Sequence, residues 1–133
     1  MLVRGIRGAT TATTNSREAI LDATSELLDC LVRANGVQRD DVASVIFSTT
    51  PDLNAEFPAV AARAAGWTDV ALLCTHEMNV PGSLPRCVRI LLHVNTERTP
   101  DELEHIYLRG ARVLRPDLAS AAEPRTPQAE ESS

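Results

Sequence analysis

Apolar residues follow two rhythms along the chain, and the switches between them mark its elements. Residues 2–10 alternate as a strand, with Arg4 and Ile6 on one face and Gly5 and Arg7 on the other. Glycine inside a strand often marks close approach by another backbone or a ligand, which singles out Gly5 and Gly8. From Asn15 the spacing becomes helical. Asn15 is the expected N-cap, with Glu18 completing a capping-box-like pair. Ile20, Thr24, Leu27, Leu28, Leu31 and Val32 form an apolar stripe to about residue 34, and Gly36 is the stop signal. Residues 42–49 (VASVIFST) read as a buried strand ended by Thr50-Pro51-Asp52. Pro58 fits the first turn of a second helix, which runs through Ala62 and Arg63 to about residue 65, with Gly66 after it. Residues 70–74 are a short apolar strand, 80–83 a turn, and 87–95 (CVRILLHVN) another strand. Thr99-Pro100-Asp101 opens a short helix carrying Glu104, His105 and Tyr107. Residues 111–114 form a last strand, stopped by Pro116. The expected order is β-α-β-α-β-β-α-β, an α/β domain with a mixed sheet and packed helices. It occupies residues 1–118; the polar, Pro-containing stretch 119–133 reads as a disordered tail.

Composition narrows the function. The 133 residues suit one domain, and with aromatics at only 3% the core is built from Val, Leu, Ile and Ala. Few aromatics and a net charge of -5 argue against a nucleic-acid partner. No apolar run is long enough to span a bilayer, and the first residues lack the apolar region of a signal peptide. Three scattered cysteines (Cys30, Cys74, Cys87) do not make a disulfide framework, so a reduced, cytoplasmic protein is expected. Lysine is absent, and all 13 basic residues are arginine. Schiff-base chemistry and a P-loop lysine are therefore excluded. Any anion must be held by arginine or by backbone N–H groups, and arginine grips a carboxylate at two points.

Arg89 is the oddest residue, a cation within an otherwise apolar strand. A buried guanidinium is costly unless paired, so Arg89 either serves a site or pairs with a carboxylate or solvent on its strand face. Arg7 between Gly5 and Gly8, and Arg115 beside Pro116, add two cations near strand ends. If the three converge, they make a dicarboxylate site. Cys74, His76 and Glu77 lie close together, but their spacing matches no standard zinc motif, and a non-metal reading is preferred. Tyr107 is either an anion-binding hydroxyl or an interfacial aromatic. Phe57 before Pro58 looks like a helix-entry contact. No nucleophile triad or phosphate loop stands out, and these residues alone stop at a small-acid binder or an unusual enzyme.

Four segments resemble chorismate mutase of the trimeric α/β type. They are Arg4 to Thr11 (RGIRGATT), 50–63 (TPDLNAEFPAVAAR), 73–91 (LCTHEMNVPGSLPRCVRIL) and 105–118 (HIYLRGARVLRPDL), in order and without large gaps. The resemblance implies a homotrimeric pseudo-α/β-barrel, sheets inside and helices outside, with active sites in clefts between adjacent subunits. It implies chorismate as the small-molecule partner, prephenate as product, and neither cofactor nor metal. By motif match Arg89, Glu77 and Arg7 take the family's catalytic places. Tyr107, Cys74, Arg63, Phe57 and Arg115 take substrate-binding places. On this reading Arg89 stabilises charge on the breaking ether oxygen, Glu77 with Cys74 holds the ring hydroxyl, and Arg7 with Tyr107 grips carboxylates. One position departs: Val60 stands where some relatives carry a pocket lysine, which shifts substrate capture toward Arg63. Two other readings stay open at this point, an enamine or imine deaminase on a similar trimeric fold and a non-catalytic trimer that senses a small acid.

Overall fold

The computed structural model describes residues 1–114; Arg115, Pro116 and the 119–133 stretch lie outside the described residues. The N-terminal alternation forms β1 (Leu2–Thr11), and the helical stripe forms α1 (Arg17–Asn35). The cap of α1 lies one residue later than expected. Ser16, in extended conformation, accepts the Ala19 N–H at 3.1 Å. Asn15 is drawn off instead by a loop, since its Oδ1 accepts the N–H groups of Asn54 and Ala55. Gly36 ends the helix at φ 59°, a left-handed conformation that favours glycine.

β2 (Val42–Thr49) leads through a loop to α2 (Ala59–Ala64), which Pro58 opens. β3 (Ala71–His76) extends two residues beyond its expected end because it pairs in parallel with β2 from Ser44 to Thr49. β4 (Cys87–Thr96) is antiparallel to both β1 and β2. Tyr107 lies on a two-residue strand, β5 (Ile106–Tyr107), and not on a helix. The helical part of that segment is a single 3-10 turn, Pro100–Glu102, stabilised by reciprocal capping between Thr99 and Glu102. The expected last strand is a 3-10 helix, Arg109–Leu114. Alternation of short apolar residues does not distinguish these conformations, and here the parallel slot beside β1 is already taken by β5. The sheet order is β3-β2-β4-β1-β5, a mixed sheet.

Among the described residues, helices cover one face of the sheet. Ile6, Val45, Phe47, Ile90, Leu92 and Val94 point toward α1 and α2, where Leu27, Leu31 and Ala62 complete a dry core. Each of the large side chains there stabilises the fold by about 1.5–3 kcal/mol. Gly8 is required on that face: a Cβ would sit 2.8 Å from Ile106 O and 2.9 Å from Leu27 Cδ1. Gly5 has no such neighbour, since the nearest atom to an added Cβ is 3.6 Å away.

The opposite face carries no helix among the described residues. Strand register arranges it in rows: Tyr107–Ala9–Arg89–Ser48–Thr75, and beside it Arg7–Leu91–Ile46–Leu73. The strands 42–49 and 87–95, expected to be buried, are therefore buried only at alternate positions. Leu73 is 60% exposed and Leu91 37%. An antiparallel sheet face left to water is normally polar, so this apolar row is unusual.

Candidate active site

The rows place Arg89 and Arg7 as diagonal neighbours on the open face, one on β4 and one on β1. Diagonal cross-strand positions lie within reach of long side chains. Arg7 is exposed, and Tyr107 flanks Ala9 in Arg89's row. The Tyr107 ring is buried against Ala9, Cys87 and Ala111.

Arg89 has its side chain 42% exposed, so the strand is less closed around it than its apolar sequence suggests. Its Nε lies 3.6 Å from Glu77 Oε1, close enough for an ion pair but beyond a hydrogen bond. The buried Nε has no hydrogen-bond partner among the described residues. A guanidinium donor left in that state is costly, and a ligand oxygen would remove the cost. Glu77 owes its place to the strand end before it: its N–H bonds Thr49 O at 2.8 Å, and His76 Nδ1 sits 3.0 Å from Thr49 Oγ1. Arg89 and Glu77 line a cleft of about 530 Å³ with Thr50, Cys87, Leu84 and Leu114. That volume suits a small organic ligand. Burial pushes the Cys87 thiol up to about 11, the Arg89 charge pulling the other way. The thiol is therefore protonated near neutrality and is no nucleophile. Arg115, expected in the same group, lies outside the described residues, one position after Leu114.

Phe57 and Cys74 lie in another cleft. Cys74 pairs with Phe47 and so faces the helix side of the sheet, opposite to Arg89. With Phe57, Pro58, Leu53 and His76 it lines a second cleft of about 320 Å³. Phe57 is 66% exposed and packs no helix entry, contrary to expectation. Its N–H is held at 2.9 Å by Glu56 Oε2, while Glu56 Oε1 binds Arg17 at 2.9 Å. The Phe57 N–H, with Arg17 and Arg63 nearby, holds the Glu56 carboxyl below the usual range against the opposing effect of burial. Arg63 is exposed on α2 at this rim. Cys74 and His76, weighed as metal ligands, do not join such a group: no three His, Cys, Asp or Glu among the described residues gather around one point.

Sequence reasoning passed over three residues that hold this frame. Asp52 accepts from the Thr50 hydroxyl and from Arg86 N–H at 2.9 Å, fixing the entry to β4. Burial raises its pKa, but these bonds and the Arg86 charge outweigh that and bring it below 3.8. Asn35 and His105 hold β5. Asn35 stands just before Gly36, where a polar residue reads as an ordinary helix end, so no local signal separates it.

One chain thus offers a mixed sheet whose open face carries Arg7 and Arg89, and a second cleft lined by Phe57 and Cys74. Its fold matches a solved chorismate mutase from Clostridium thermocellum at a TM-score of 0.82 and 47% identity, over 83% of this chain and 98% of that one. Residues 3–118 match the family model described as chorismate mutase type I, and the chain belongs to that family. It is 51% identical over 121 residues to the chorismate mutase AroH of Thermus thermophilus, covering 90% of this chain and 99% of the relative. It is 43% identical over 120 residues to the AroH enzyme of Bacillus subtilis strain 168, covering 90% and 94%.

Proposed function

We propose that this chain rearranges chorismate to prephenate, as a homotrimer, in sites shared between neighbouring copies. The observation that carries the shared site is the division of its residues. Arg7, Arg89, Tyr107 and Glu77 belong to the open sheet face and its cleft, while Phe57 and Cys74 line a second cleft and Arg63 lies close enough to Glu56 of that cleft to act on its charge. One cleft of each kind, brought together from two copies, encloses a substrate. The apolar row Leu91–Ile46–Leu73 supplies the driving force for association, at roughly 25 cal/mol per Å² buried. A closed ring of such contacts fits a cyclic assembly.

The chemistry asks little of the protein beyond charge and shape. In chorismate the ether C–O bond breaks as a C–C bond forms, in one step with no group transferred to the enzyme. Negative charge gathers on the ether oxygen, and the Arg89 guanidinium, whose buried Nε has no hydrogen-bond partner among the described residues, meets it. Glu77, held 3.6 Å from Arg89, takes the ring hydroxyl and keeps the guanidinium oriented. Arg7 and Tyr107 hold the carboxylates so that the reactive chair is selected. A millionfold acceleration corresponds to about 8 kcal/mol, within reach of preorganised charge and restriction together. As an isomerase of aromatic amino acid biosynthesis it needs no cofactor for this step.

No helix among the described residues is long and apolar enough to cross a membrane. The three cysteines are free, which supports a reducing, cytoplasmic setting. Spectrophotometric loss of chorismate on adding the purified chain tests the activity. Turnover to prephenate is expected; tight binding without turnover would leave only an acid-binding trimer.

A further inference from the structure

The segment that brings Tyr107 to the sheet is held by side chains more than by its own ladder. A strand of two residues is too short to stay paired through backbone bonds alone. Before it, Asn35 is buried at the end of α1. Its Nδ2 donates to Leu31 O at 2.9 Å and to Glu104 O at 3.0 Å, and its Oδ1 accepts Glu104 N–H at 2.7 Å. After it, Leu108 N–H bonds Ala9 O at 2.9 Å. Arg109 then pairs with Glu26 at 3.0 Å and donates to Thr11 O at 3.0 Å. Both Asn35 and Glu26 belong to α1, so one helix clamps the segment at both ends.

Between these clamps the His105 ring stands in for a strand. The β1–β5 register begins at Gly8 and Ile106, and the Arg7 N–H lies just before it. His105 Nδ1 accepts that N–H at 3.1 Å. A ring nitrogen that accepts carries no proton, so this arrangement calls for the Nε2–H tautomer. The chain of contacts runs unbroken from the α1 core through Asn35, Glu104 and His105 to the backbone of Arg7.

We propose that Asn35 and His105 are positioning residues for the rearrangement: Asn35 sets where β5 lies on the sheet, and His105 ties it to Arg7. Arg7 and Tyr107 then meet the substrate as one unit although they are far apart in sequence. The proposal rests on the reading of Arg7 and Tyr107 as carboxylate ligands. Neither Asn35 nor His105 touches substrate. They act because a misplacement of about 1 Å in a binding group can cost on the order of 10²-fold in rate.

The test uses full-length chains. In His105→Asn the amide oxygen takes the place of Nδ1, whereas in His105→Gln it lies one bond farther out. We expect His105→Ala and His105→Gln to raise the KM for chorismate by roughly tenfold, with a smaller change in kcat, and His105→Asn to stay within about twofold of the parent. Amide exchange at Arg7 should quicken in the Ala and Gln chains and not in the Asn chain. Asn35→Ala should raise KM likewise and add little to His105→Ala, because both act on one element. Arg7→Ala is measured alongside. If it leaves KM unchanged, the carboxylate reading fails and takes with it the reason for positioning. If Arg7→Ala is impaired but His105→Ala keeps the parent KM, positioning is overturned on its own. Equal KM values for the Asn and Gln chains overturn it too, and that contrast decides alone should His105→Ala not fold.

Discussion

Arg89 sits in a strand whose other face is core, yet its own Nε has nothing to donate to among the described residues. A donor kept buried and without a hydrogen-bond partner, beside the Glu77 carboxylate, is preorganised for a charge that develops elsewhere. Arg89→Ala is expected to lower kcat by about 10²–10³ while KM moves much less, the pattern of an interaction made mainly in the transition state. Arg89→Lys should recover little, because an ammonium is a strongly hydrated point charge without the planar fork. Steady-state kinetics on both variants, with melting curves to show that they fold, check this; near-normal kcat in Arg89→Ala would reduce Arg89 to a structural cation. The cysteines give a second residue-scale prediction. With its thiol at about 11, Cys87 should resist iodoacetamide near neutral pH, while Cys74, partly exposed in its cleft, should be labelled and shielded by chorismate. Peptide mapping by mass spectrometry reads both. Equal labelling of Cys74 with and without chorismate would remove it from the site.

Strands and helices carry their own predictions, because close approach is what this fold asks of its elements. Gly8→Ala puts a methyl 2.8 Å from Ile106 O, a backbone atom that cannot swing away. We expect β5 to be pushed off β1, a loss of about 1–3 kcal/mol by overpacking, and a fall in activity larger than the same loss of stability causes elsewhere. Ser16→Ala, which removes the α1 cap, is the control, at about 1 kcal/mol with activity kept. At the corner before β4 the effect depends on pH. Asp52 has its pKa lowered in the folded chain, so its stabilising bonds are present above the ordinary value of 3.8 and are lost as pH falls through the lower folded value. Asp52→Asn should therefore melt below the parent at neutral pH, and the gap should close below pH 3.8; a gap that persists in acid would contradict this. The same elements show what periodicity conveys. The strand from Val42 to Thr49 and the stripe of α1 were legible because long periodic runs carry redundant signals. Asn15 and Ser16 are both good caps in sequence, and only the distant Asn54 loop decides between them. Tyr107 was misplaced on a helix because a two-residue strand has no period to read, and its place comes from Asn35, 72 positions earlier by number.

At the scale of the whole molecule the sequence names the residues of the proposed site but not how they are arranged. Arg89 announces itself as a cation among apolar neighbours, and the motif match supplies Glu77, Cys74 and Phe57. No pattern along one chain, however, tells that Cys74 and Arg89 face opposite sides of one sheet. That separation is why we propose a site completed by a neighbour. The exposed Leu73 and Leu91, in the row beside Arg89, are the surface we propose the neighbour covers. Light scattering should accordingly give a trimer, and Leu91→Arg on the open face should both weaken assembly and lower activity; an active monomer would contradict the shared site. The most direct measurement joins assembly to catalysis. Arg89→Ala and Arg63→Ala chains, each impaired alone, are unfolded together, mixed in equal amounts, refolded and assayed for loss of chorismate. If each site takes Arg89 from one copy and Arg63 from the next around a closed ring, about a quarter of the sites in random trimers are intact, and about that share of parent activity returns. No recovery above the two variants alone, from chains shown to have co-assembled, would mean that both arginines serve a site within one chain and that the composite site is wrong.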